Sequence, residues 1–200
     1  MATVTTPKRP PIVNLPNVLT ASRFVLAMVL FVLIAWQESI PGVWLWCLVV
    51  FAVAAVTDYF DGYYARKLGL TSTLGRNLDP LVDKVLVCGA FTFLLAVKYP
   101  GEEQPVLAPW MVVVVVAREL IITSLRGFLE SQGVRFGADW LGKIKMWLQC
   151  AALIAIFIAQ GWPNEFYRAA SVGLIYGMVV VTALSGAQYL WKGTLLLKSE

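Results

Sequence analysis

The sequence predicts an all-α integral membrane protein, a six-transmembrane-helix bundle with a short N-terminal interfacial helix. Three observations carry this. Hydrophobic residues make up 59% of the 200 positions and charged residues 14%, and the mean hydropathy is +0.73; an ordinary soluble domain is about a quarter charged. A water-soluble domain of this composition would lack the polar residues to cover its surface. Six apolar stretches each approach the roughly 20 residues that a bilayer crossing requires. The basic residues, finally, collect on one side of those six stretches.

The elements follow in order. Residues 1–13 read as a flexible cytoplasmic N-terminus. Asn14–Arg23 (NLPNVLTASR) mixes polar and apolar residues and is expected to lie along the interface as the short helix. The spans are Ala21–Trp36, Val43–Thr57, Leu81–Val97, Val106–Leu125, Trp140–Ala159 and Ala169–Trp191. Only helices or closed barrels satisfy the backbone in lipid, and these runs are continuous rather than alternating, which selects helices. Ile40-Pro41-Gly42, Tyr99-Pro100-Gly101 and Gly161-Trp162-Pro163-Asn164 supply turn chemistry between spans. Residues 14–192 form one membrane domain and 193–200 a cytoplasmic tail. No small-residue cleavage site follows the first apolar run, so a removable signal peptide is not expected.

Charge sets the orientation. With six spans, basic residues such as Lys8, Arg9, Arg66, Lys67, Arg135 and Lys198 share one side, and only Lys98 and Arg168 fall on the other. The positive-inside rule then places both termini on the cytoplasmic face of the cell membrane. The net charge of +4 is an orientation signal, and nucleic acid is not an expected partner. There is no histidine, which excludes Ser-His and Cys-His nucleophile pairs, His-ligated zinc and a histidine phospho-enzyme. Cys47, Cys88 and Cys150 lie in apolar runs without C-x-x-C spacing and read as packing residues.

Four carboxylates break the apolar pattern. Asp58 and Asp61 are three apart, Asp79 and Asp83 four apart; on helices each spacing puts both acids on one face. A charge at mid-membrane costs about 2.5–3.5 kcal/mol, so four approach the stability of a whole domain, on the order of 10 kcal/mol. Divalent cations would neutralise the cluster, and all-carboxylate ligation suits Mg²⁺ or Mn²⁺ rather than zinc. Two such ions are a common device of phosphoryl transfer. The alternative is a pair of helix-end salt bridges, Asp61 with Arg66 and Asp83 with Lys84 or Lys67. Gly62 lets a phosphate or base approach closely, Ala65 keeps the next turn slim, and Arg66 offers a phosphate fork. Asp79-Pro80 also reads as an N-cap followed by a first-turn proline, which conflicts with a helix already running at Gly75; both boundaries stay open.

The pattern Asp58-x2-Asp61-Gly62-x2-Ala65-Arg66-x8-Gly75-x3-Asp79-x3-Asp83 resembles the signature of the CDP-alcohol phosphotransferase family, matching it at every signature position. The resemblance implies that Asp58, Asp61, Asp79 and Asp83 ligate two divalent ions, Mg²⁺ or Mn²⁺. Asp83 would also be the general base for the acceptor hydroxyl. Gly62, Ala65, Arg66, Ser72 and Gly75 would hold the CDP moiety. It further implies a membrane homodimer that transfers the phosphatidyl group from CDP-diacylglycerol to an alcohol and releases CMP at the cytoplasmic face. Asn14–Thr20 with Arg23, Leu78–Lys84, Ala117–Ile122 with Leu125-Arg126, and Gly142–Lys145 look most like the bacterial phosphatidylglycerophosphate synthases, which makes sn-glycerol-3-phosphate the expected acceptor. Inositol phosphate, serine or another alcohol is the alternative, and a small cation transporter the remote one.

Arg118 and Arg126 are eight apart, on one helix face. With Lys143 and Lys145 they form the expected site for the acceptor's phosphate. The bland alternatives are an Arg118 pair with Glu119 or an aspartate, and interface snorkelling for Arg126, Lys143 and Lys145. Gly173-x3-Gly177 is a small-residue pattern for a close helix contact, within the bundle or across a dimer. Trp44, Trp46, Trp110, Trp140 and Trp191 read as interfacial anchors.

Overall fold

The computed structural model describes residues 15–68, 73–132 and 140–197; within these, the side chains of 15–17, 58–68, 73–77, 79, 196 and 197 lie outside the description. Six helices run in sequence: α1 (Leu15–Ala35), α2 (Val43–Leu68), α3 (Thr73–Phe93), α4 (Pro109–Ser131), α5 (Trp140–Gly161) and α6 (Glu165–Leu197). A single 3₁₀ turn, Leu94–Ala96, extends α3. The protein is all-helical among the described residues. Windows in α1, α5 and α6 (Val18–Ala35, Trp140–Gly161, Glu165–Leu195) are long and apolar enough to cross a membrane, and Val43–Thr57 is a shorter apolar stretch. In α4 the charged residues Arg118, Glu119 and Arg126 interrupt an otherwise apolar run. Large apolar side chains face outward, among them Val113 (63% exposed), Leu120 (63%) and Trp147 (78%). A water-soluble monomer rarely leaves such surfaces uncovered; a membrane protein covers them with lipid.

The turns obey their local chemistry. Gly42 and Gly101 follow prolines and adopt φ of 67° and 79°, a left-handed conformation that only glycine adopts at little cost. Pro109 opens α4, where its missing N–H is one of the helix's unpaired donors anyway.

Several boundaries differ from expectation. α1 is unbroken from Leu15 to Ala35, so its polar N-terminal part does not form a separate short helix: the segment has neither proline nor glycine after Pro16 to end a turn. α2 continues past Thr57 to Leu68. α3 begins at Thr73, so Pro80 is interior to it rather than at its start. Pro80 removes one backbone bond from the ladder, close to Asp79 and Asp83.

α1 packs on α2 and α3, α2 on α5, α3 on α4, and α6 on both α4 and α5. Leu94, Leu107, Val115, Leu153, Ile156 and Phe157 are fully buried and fill the middle of the bundle. Phe31 of α1 stacks on Phe93 of α3 at 5.0 Å between ring centres. The two helices approach so closely that a Cβ on Gly89 would stand 2.1 Å from Phe31 Cζ. Trp44 is half-buried and stacks on Phe157 at 6.3 Å; Trp46, Trp110, Trp140 and Trp191 are exposed. Gly173 and Gly177 face open space among the described residues. The close contacts of α6 within the bundle are instead at Gly186, against Arg118, and Gly193, against Leu125. None of the three cysteines is in a disulfide; Cys47 is buried and Cys88 and Cys150 are half-buried.

One end of the bundle is laced together by the α3–α4 connection. Val106 N–H donates to Val97 O (2.8 Å), Gln160 Nε2 donates to Lys98 O (3.0 Å), and Tyr99 and Ser171 share a hydroxyl–hydroxyl bond of 2.6 Å. Arg168 pairs with Glu102. Burial there pushes the Tyr99 phenol above its usual range. The charged side chains of α3, α4 and α5 gather at the opposite end.

Candidate active site

The site lies where α2 ends and α3 begins. Asp58, Asp61, Gly62, Ala65 and Arg66 ride on the last turns of α2; Gly75, Asp79 and Asp83 on the first half of α3. Only residues 69–72 separate the two helices, so both acid pairs flank one short connection in sequence. The side chains of Asp58, Asp61, Arg66 and Asp79 lie outside the described residues, as does Ser72 altogether.

Asp83 is described, and its partner is unexpected. Its Oδ1 accepts a 2.6 Å hydrogen bond from Arg23 Nη1. Arg23 comes from α1 and is 1% exposed, whereas the Asp83 side chain is 36% exposed. Charge-assisted bonds of this length are among the stronger ones in proteins. The expected alternative pairing of Asp83 with Lys84 is not formed: the Lys84 ammonium donates to Thr123 Oγ1 at 2.5 Å.

A second cluster is built on α4. Glu119 is buried, 7% exposed, and accepts from the buried Lys145 ammonium of α5. Arg118 Nη1 reaches the same carboxylate at 3.3 and 3.5 Å. Arg118 Nε donates to Ser185 Oγ of α6 at 3.1 Å, and the guanidinium lies over the Tyr189 ring, 5.5 Å from its centre, in cation–π range. Gly186 lets the Arg118 stem pass, since a Cβ there would stand 3.2 Å from Arg118 Cγ. Thr123 donates to the backbone carbonyl of Glu119 (2.5 Å) while accepting from Lys84. The cluster therefore ties α3, α4, α5 and α6 together.

The four cations expected at the acceptor site separate. Arg118 and Lys145 meet at Glu119. Arg126 is half-buried, with an Nε that has no hydrogen-bond partner among the described residues. Lys143 is exposed; two positions from Lys145 is about 200° around a helix, which turns it away. The Arg118–Glu119 pair is present together with the Ser185 and Tyr189 contacts, and Lys145 is buried rather than snorkelling. Sequence reasoning named Glu119 only as a partner of Arg118 and Arg23 only within the resemblance, and it missed Thr123, Ser185 and Tyr189. Glu119 carried a signal, an acid inside an apolar run; Ser185 and Tyr189 carried none.

Among the described residues no three Asp, Glu or Cys side chains converge as a metal-binding group, and three of the four expected ligands are outside that set. The one expected ligand that is described, Asp83, offers the oxygen donors a hard divalent cation takes, and it is bonded to Arg23.

Residues 13–184 match the family model for CDP-alcohol phosphatidyltransferase. A Bacillus subtilis protein named CDP-diacylglycerol–glycerol-3-phosphate 3-phosphatidyltransferase is 37% identical over 199 residues, covering 94% of this chain and 98% of its own. Proteins of the same name from Pectobacterium atrosepticum (36% identical, 88% of this chain, 93% of its own) and Sodalis glossinidius (34%, 89% and 93%) are similar throughout their length as well.

Proposed function

The chain belongs to the CDP-alcohol phosphatidyltransferase family, and from that premise we propose that it transfers the phosphatidyl group of CDP-diacylglycerol to sn-glycerol-3-phosphate, giving phosphatidylglycerophosphate and CMP. The observation that supports the proposal is that Lys84, the neighbour of Asp83 in sequence, bonds Thr123 of the cluster in which Arg118 and Lys145 meet Glu119. The names of the full-length relatives support the choice of acceptor.

Each residue has a chemical task. Asp83 takes the proton of the acceptor hydroxyl as its oxygen bonds to the β-phosphorus of the donor, the one that carries diacylglycerol. The bond from that phosphorus to CMP breaks, and CMP leaves with the electron pair. Arg23 keeps the Asp83 carboxylate oriented while the exposed oxygen works. Arg118 and Lys145 bind the acceptor's phosphate, which sets its hydroxyl near Asp83; Arg126 and Lys143 add positive potential at the mouth. Gly62, Ala65, Arg66, Ser72 and Gly75 hold the CDP moiety. Asp58, Asp61, Asp79 and Asp83 would hold two Mg²⁺ or Mn²⁺ ions. Bound there, such ions neutralise the pyrophosphate and polarise the phosphoryl oxygens.

All six helices cross the membrane in this proposal, with both termini and the site on the cytoplasmic face and two chains forming a homodimer. The one-sided distribution of lysine and arginine supports that orientation. The deciding experiment offers labelled CDP-diacylglycerol with glycerol-3-phosphate, inositol phosphate or serine to purified enzyme. CMP release with glycerol-3-phosphate alone is expected. Release only with another acceptor would leave the chemistry standing and remove the acceptor assignment.

A further inference from the structure

Glu119 is a buried carboxylate for which the proposed reaction has so far no task. Its placement is costly: an acid in the membrane-embedded part of a helix is tolerated only with partners. It has two, the Lys145 ammonium and the Arg118 guanidinium, and its own backbone carbonyl receives Thr123, which in turn holds Lys84. Arg118 and Lys145 contact the carboxylate and Lys84 joins the cluster through Thr123, three cations to one acid and a surplus of two positive charges among the described residues of the cluster. A phosphate monoester near neutral pH carries about −1.5 to −2, so the surplus matches one such group.

The donors are apportioned in the same way. Glu119 engages Arg118 through Nη1, and Ser185 engages it through Nε. Nη2 points toward Gly142, where a Cβ would lie 3.8 Å from Nη2 and 3.4 Å from the Tyr189 hydroxyl oxygen. Gly142, at the start of α5, therefore puts no side chain beside these two groups. An ammonium has three N–H donors, of which Glu119 occupies one.

We infer that Glu119 is a positioning residue for the acceptor: its carboxylate fixes the Lys145 ammonium and the Arg118 fork so that their remaining donors converge on one phosphate monoester. The inference rests on the acceptor assignment proposed above. Glu119 touches no reacting atom and acts through Lys145 and Arg118.

The test is steady-state kinetics on the full-length enzyme with both substrates varied, for wild type, Glu119→Gln, Glu119→Ala, Lys145→Met and the Glu119→Ala/Lys145→Met double variant. Glu119→Ala is expected to raise the KM for glycerol-3-phosphate about tenfold or more and to leave the KM for CDP-diacylglycerol within about twofold. Glu119→Gln, which keeps the shape and one acceptor, should fall between. With Lys145 already replaced, Glu119→Ala should add much less than it does alone, because a group through which it acts is gone. An unchanged acceptor KM, an equal rise in both KM values, or full multiplication of the two effects overturns the role. So does failure of both Glu119 variants to fold while Lys145→Met folds, which would make the carboxylate purely structural. Wild-type enzyme that releases no CMP with glycerol-3-phosphate overturns the acceptor assignment instead.

Discussion

Arg23 and Asp83 are joined across 60 positions of sequence by a 2.6 Å bond that fastens α1 to α3. The arginine is almost wholly buried and the carboxylate is open on one side. Removing one partner of such a pair strands the other, which costs more than the pair itself contributes. Arg23→Gln is therefore expected to lower kcat by about tenfold or more, and Arg23→Lys, which keeps the charge but not the planar fork, to recover part of it. Asp83→Asn should lose about 10²–10⁴-fold, the usual worth of a general base, with donor binding retained. Parallel measurement of CMP release and donor binding checks both; near-normal turnover in Asp83→Asn would contradict the assigned base.

Arg118 should matter far more to the acceptor than to the donor. Arg118→Ala is expected to raise the glycerol-3-phosphate KM about tenfold or more, since it deletes charged hydrogen bonds. Lys143→Ala, removing a side chain turned outward, should change it by about twofold at most. Kinetics at saturating donor distinguishes the two, and equal effects of both variants would argue against the described division of the cations.

Chelation provides the metal test. Dialysis against EDTA should abolish CMP release, and Mg²⁺ or Mn²⁺ should restore it, with calcium as a larger-ion control. Binding of Mn²⁺ to the inactive enzyme, read by its paramagnetic resonance signal, should weaken in Asp58→Asn, Asp61→Asn and Asp79→Asn. Unaltered Mn²⁺ binding in all three would remove the carboxylates as ligands.

The helix approach at Gly89 makes a stability prediction. A methyl group there would collide with the buried Phe31 ring, and overpacking of this kind costs roughly 1–3 kcal/mol. Gly89→Ala should lower the thermal midpoint in detergent by several degrees. Gly177→Ala, facing open space in the single chain, should leave it unchanged. A drop in Gly177→Ala in the assembled protein, absent on dilution to monomer, would instead locate that face in a homodimer contact.

The six helices and the acid pairs on α2 and α3 were legible because both are local: an apolar run shows in composition, and Asp58-x2-Asp61 followed by Asp79-x3-Asp83 in spacing. Pairing between distant helices was not. Whether Asp83 meets Lys84 or Arg23, and whether Lys143 or Lys145 turns inward, depends on how each helix is rotated against its neighbours, which no short window encodes. Asp79-Pro80 misled for a related reason. Its local preference is for a helix start, yet α3 begins at Thr73 and runs through the proline. The glycine pattern of α6 named residues able to come close to a neighbour without saying which of them has one. Gly186 and Gly193 do; Gly173 and Gly177 do not within the single chain.

The laced end has a consequence for traffic. Tyr99 and Ser171, and Glu102 and Arg168, are drawn together there, so that end of the bundle is braced by polar contacts, while the proposed reaction belongs to the other end. In the proposed orientation a water-borne acceptor reaches that end from the cytoplasm and the lipid donor from the bilayer. Turnover then requires the spent nucleotide to back out before the next donor can seat its headgroup.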